Sequence, residues 1–285
     1  VVGTASSFTA THAVSWALDE RELRQLKEGL RNNELATIST IQNELLVPLL
    51  SVVGGARRLF VAVDIELDEL GLTEIGGSEA LCQRFEIGFL QALPHPLWEK
   101  PASTAPHRLK IVGDRATAVD LRLSMLTARS GLTSVEVVHR DQVRDVGWEG
   151  ALAGGRHLHL VGPLDADGGI SLIETEAPVS PDQLAKCCAS AETVLVCMAE
   201  AMTRRMIELH LPKLSAGVRG GVLVKRWPCD VQREFLLLFL EEAWHADGPR
   251  ELVSAFSRAQ ERGREAGVAA DCWLGYQLYL SANPR

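Results

Sequence analysis

Residues Arg156 to Gly169 read RHLHLVGPLDADGG, and this stretch decides the fold. Leu158 and Leu160 alternate with His157, His159 and Val161, and the glycine pair Gly154-Gly155 precedes them. Gly162-Pro163 ends the alternation and opens a glycine-rich loop. The pattern predicts a buried strand that delivers a loop to the edge of a sheet. Val194 to Cys197 predicts a second apolar strand about one helix later. Gly221 to Val224 predicts a third, which runs into Arg226-Trp-Pro-Cys-Asp230. Strands at helical intervals make successive βαβ units, and open sheets of this kind place their sites at the carboxyl ends of the strands. A site is therefore expected after Gly162, after Val196 and after Val224.

Moving outward, Leu109 to Val112 and Ser134 to His139 predict further strands, with a helix over Val143 to Leu152 leading into the central one. Another helix is expected between them, on Val119, Leu123 and Leu126. Long helices are expected at Gln232–Ala246 and Glu251–Ala266. Lys100 to His107 is rich in Pro, Ser, Thr and Ala and reads as a linker. It divides the chain into an amino-terminal half over 1–105 and an α/β core over 106–285. In the first half, residues 1–12 are expected to be extended or disordered. Asp19 is placed to cap a helix ending near Leu30. A second helix is expected over Leu35 to Leu50 and an apolar strand over Arg57 to Ile65. Leu81, Phe85, Phe89 and Leu93 fit one face of a helix over Ser78 to Leu93.

The 285 residues suffice for one large α/β unit or two packed halves. A net charge of −8 argues against a nucleic-acid partner, because phosphate binding needs a basic face. No apolar run reaches the ~18 residues of a membrane span. The start, Val1-Val-Gly-Thr-Ala, has no signal-peptide core and no methionine, which suggests a trimmed or internal piece of a longer chain. Six cysteines without a CxxC pair read as reduced thiols of a cytoplasmic protein, with no metal site and no cofactor expected.

The P-loop, GxGxxG, GxSxG and HExxH patterns are all missing. Asp165-Ala-Asp167 with Glu176 imitates the ends of a calcium loop, but Gly169 and Ile170 stand where an oxygen ligand and a glycine are needed. Cysteine and histidine near strand ends remain. A displaced dyad of Cys197 with His157 or His159 would need the imidazole within hydrogen-bond reach of the thiol. Both histidines precede the strand end, so packed strand histidines are the plainer reading, with Cys197 a small buried apolar residue.

Several segments together resemble the CHAT domain, a group of caspase-like peptidases. They are His159-Leu-Val-Gly162-Pro163-Leu164, Asp167-Gly168 with Glu174, Leu195-Val-Cys197-Met198, Trp227-Pro-Cys-Asp230, Phe235 with Phe239, and a closing segment from Trp273 to Tyr279. The similarity runs over about 35 to 285. It implies a caspase-like α/β fold: a mostly parallel sheet flanked by helices, with an amino-terminal pseudo-caspase half. The family's catalytic histidine falls on Pro163 here and its nucleophile on Met198. A proline takes no proton and a thioether has none to lose. Cys197 stands one residue early, and His159 matches the family's first, non-catalytic histidine. The resemblance thus implies an inactive pseudopeptidase that binds a protein or peptide, as part of a longer chain or a complex. Asp230 would receive a basic side chain, with Trp227 beside it. The alternatives are a helix cap for Asp230 and a core position for Trp227. An active cysteine peptidase with the displaced dyad, or a small-molecule enzyme of doubly wound type, are the other functions open.

Overall fold

The computed structural model describes residues 2–4, 7–12, 19–31, 35–41, 43–44, 47–53, 55–62, 81–90, 108–112, 134–163, 169–173, 176–189, 191–197, 211, 213–214, 218–225, 233–244, 246, 248–268, 273 and 276–281. Two units divide the chain, Val1–Ile87 and Gly88–Arg285. The linker expected over Lys100–His107 and the helix expected on Val119, Leu123 and Leu126 lie outside the described residues.

In the first unit, strands β1 (Val2–Thr4) and β2 (Ser7–His12) pair antiparallel, so the extended reading of this segment becomes a hairpin. Helix α1 (Glu20–Arg31) starts where Asp19 predicts. The Asp19 carboxylate accepts from the Glu22 N–H at 2.8 Å, and the Glu22 carboxylate accepts from the Asp19 N–H at 2.9 Å. This reciprocal pair satisfies two N–H groups that the first helical turn cannot.

In the span where one helix is expected, Leu35 to Leu50, the described residues are helical: α2 (Leu35–Ile41), a π-helical pair at Asn43-Glu44 and α3 (Val47–Val53). Pro48 has no N–H to donate and stands at the second position of α3, in the first turn, where a helix tolerates it. Strand β3 (Arg58–Ala62) follows.

The helix expected over Ser78 to Leu93 is corrected. Among its described residues only α4 (Leu81–Arg84) is helical, and Glu86–Leu90 is strand β4. The helical reading counted Leu81, Phe85 and Phe89 as one face. Every residue of β4 is buried, Ile87 and Leu90 included, which is the signature of a strand covered on both faces. Glu86 is anchored by the Arg57 and Arg58 guanidiniums at 2.9 and 2.7 Å, and its N–H donates to the Arg57 carbonyl at 3.0 Å.

The second unit holds β5 (Arg108–Val112), β6 (Ser134–Val137), α5 (Arg140–Leu152), β7 (His157–Val161), α6 (Pro181–Cys187), β8 (Thr193–Cys197), β9 (Gly221–Lys225), α7 (Arg233–Ala243), α8 (Pro249–Glu265) and β10 (Tyr276–Leu280). Its strands lie in the order β4-β10-β9-β8-β7-β5-β6. All neighbours are parallel except β10 and β9, which run antiparallel. This is the mostly parallel α/β sheet that the βαβ spacing predicts.

Leu109, Ile111, Leu158, Leu160, Val194, Val222, Val224, Leu278 and Leu280 are buried along it. Phe235 and Phe239 of α7 meet Phe256 of α8 edge-on, with centroids 6.1 and 5.9 Å apart. The i, i+4 spacing of the two phenylalanines puts both on one helix face. Arg258 and Arg262 of α8 bind Glu242 and Glu241 of α7 at 2.6 to 2.9 Å across the outer side of the pair. Helix α5 breaks at Gly147, whose φ of 69° is open to glycine and strained for other residues. Among the described residues no helix is long and apolar enough to cross a membrane.

Candidate functional site

Because β5, β7, β8 and β9 are parallel, their carboxyl ends share one edge of the sheet. Val112, Val161, Cys197 and Lys225 close the four strands there. The register sets Val112 beside Leu160, Val161 beside Cys197, and Val196 beside Val224. This is the edge at which the sequence places the site.

The strand order adds a feature that the sequence reading missed. The chain passes from β5 to β6 on one side, returns through α5, and then lays β7, β8 and β9 on the other side of β5. The order reverses between β5 and β7, and open sheets bind ligands in the crevice at such a point. Gly162 and Pro163 stand at its mouth.

Gly162 is needed there. The Ser171 carbonyl oxygen occupies the space that a Cβ on residue 162 would take. The Ser171 N–H donates to the Pro163 carbonyl at 2.9 Å, and Ile170 bridges antiparallel to Val179. Ser171 therefore lies against the end of β7, and its neighbours Ile170 and Leu172 are buried. Pro163 itself is exposed.

The two histidines lie inside the sheet. His157 and His159 are both fully buried. The His157 imidazole stacks on the Trp244 indole, centroids 4.9 Å apart at 24°. His159 lies between Ile111 and Leu195 in register. Burial pushes its pKa down from 6.5 to about 4, because the sheet interior cannot solvate an imidazolium. Leu195 is two residues before Cys197 and Thr193, the partner of His157, is four before it. By the strand rise of ~3.3 Å per residue, Cys197 stands roughly 7 Å further along than His159 and roughly 13 Å further than His157. Cys197 ends β8; Met198, Trp227 and Asp230 lie outside the described residues, as do Asp167, Gly168 and Glu174.

The other thiols of note are adjacent. Cys187 and Cys188 are free and buried at the end of α6. Burial, with the Glu149 carboxylate second, pushes the Cys187 pKa up to about 11, and burial raises that of Cys188 as well. Neither forms a thiolate readily at neutral pH.

Glu176, the last residue of the calcium-like spacing, is engaged elsewhere. It accepts from the guanidiniums of Arg140 at 2.7 Å and Arg144 at 3.1 Å, and the bond from Arg140 leads in holding its carboxyl below the usual range. Among the described residues no group of three or more His, Cys, Asp and Glu side chains could hold a metal.

Charge is buried at two places that the sequence reading did not single out. At the amino ends of β7, β8 and β9, Arg156 and Glu192 are 3% and 2% exposed. The Glu192 carbonyl accepts from the N–H groups of Gly220 and Gly221, and the Arg156 guanidinium donates to the Ala246 carbonyl at 2.9 Å. The Arg219 guanidinium stands 3.9 Å from the Glu192 carboxylate. On β5, Lys110 donates to the Ala151 carbonyl at the end of α5 at 2.8 Å and lies 3.8 Å from Glu136. Burial leads in lowering its pKa, against the attraction of Glu136. The only local signal was a charged residue next to an apolar strand or inside one. Both groups tie strands and helix ends together.

In comparison with known proteins, no family model matches the chain and no curated protein matches it.

Proposed function

We propose that this chain is a catalytically inactive domain of caspase-like type that binds a protein or peptide at the carboxyl edge of its sheet. The observation that carries the reading is the end of β7. The exposed residue beyond the strand is Pro163, which offers no proton-transfer group, while His159 is held inside the strand with a depressed pKa. A general base must reach the proton it takes and have a pKa near the working pH. His159, poised at about 4, is a weak base at neutral pH. On this reading Asp230, with Trp227 beside it, receives a lysine or arginine of the bound segment, and the net charge of −8 favours such a partner.

The strand order favours a second reading, a domain that holds a small molecule in the crevice between β5 and β7. One experiment separates these from an active peptidase. Wild-type protein and Asp230→Ala are compared for capture of lysine- and arginine-containing peptides, and Cys197 is assayed by a thiol-alkylating probe at neutral pH. Capture lost in the variant, with Cys197 unlabelled in the folded protein, supports the pseudopeptidase. Rapid labelling of Cys197 with peptide cleavage sinks it in favour of the displaced dyad. Equal absence of capture by both proteins leaves the small-molecule reading as the better one.

A further inference from the structure

No further inference is drawn: the strongest candidate, the crevice at the carboxyl ends of β5 and β7 with Gly162 and Pro163 at its mouth, belongs to the site already described, and the buried Lys110 beside the half-buried Glu136 donates its ammonium to the Ala151 carbonyl with nothing among the described residues that points to a ligand.

Discussion

The carbonyl oxygen of Ser171 rests against the Cα of Gly162, where any side chain would need its Cβ. With the Ser171–Pro163 hydrogen bond, this contact folds the returning chain onto the end of β7. Gly162→Ala must therefore displace backbone, which is less forgiving than moving the tip of a side chain. A loss of ~1–3 kcal/mol is expected, the usual size for an overpacked site. Urea unfolding measures it, and an unchanged midpoint would show that the segment around Ser171 shifts freely.

His159 makes stability depend on pH. Its pKa is about 4 in the folded chain against 6.5 for an ordinary imidazole. Between these values the unfolded chain binds the proton more readily, so stability falls as pH drops from 6.5 towards 4. Above 6.5 the neutral ring packs at no such cost. The difference amounts to roughly 3–4 kcal/mol at most, at ~1.4 kcal/mol per unit. His159→Leu is expected to flatten this part of the profile. Urea midpoints at neutral pH and at about pH 5 check it, and an equal slope in wild type and variant would assign the acid sensitivity to other groups.

Glu192 joins three strand beginnings. Its carbonyl serves Gly220 and Gly221, and its carboxylate faces Arg219 from a site almost closed to water. A Cβ on Gly220 would come within 2.6 Å of that carbonyl and 2.7 Å of the carboxylate. Glu192→Ala is expected to cost about 1–3 kcal/mol, less than breaking a fully buried pair, since Arg219 stands 3.9 Å away and keeps contact with water. Gly220→Ala should also destabilise, because its Cβ would push on both the Glu192 carbonyl and the Glu192 carboxylate. Thermal unfolding of both variants provides the check.

Cys187 and Cys188 should resist alkylation in the folded protein. Their raised pKa values leave little thiolate at neutral pH, and the Glu149 charge opposes ionisation of Cys187 further. Peptide mapping after iodoacetamide treatment is expected to find both unmodified until denaturant is added. Modification at the rate of a free thiol under native conditions would show that the end of α6 opens.

Legibility differed by kind of feature. The central strands were readable because His157–Val161, Thr193–Cys197 and Gly221–Lys225 are apolar runs between turn residues, and that pattern is local. The Asp19 cap was readable for the same reason, since its partners lie within one turn. Strand β4 was not, because helical and strand spacing agree on Phe85 and Phe89. The strand is selected by partners far away: Phe89 pairs with Tyr279, and Gly88 admits Leu280 and Val253 to within 2.7 Å of where its Cβ would be.

At the site, the sequence by itself determined which residues end the parallel strands and that a proline follows β7. Those are properties of neighbouring residues, set by backbone sterics and apolar periodicity. Only the tertiary structure decided the strand order, the reversal between β5 and β7, the burial that depresses His159, and the contact that requires glycine at 162. Each depends on segments distant in the chain meeting in a close-packed interior, where register and desolvation are properties of the assembled sheet.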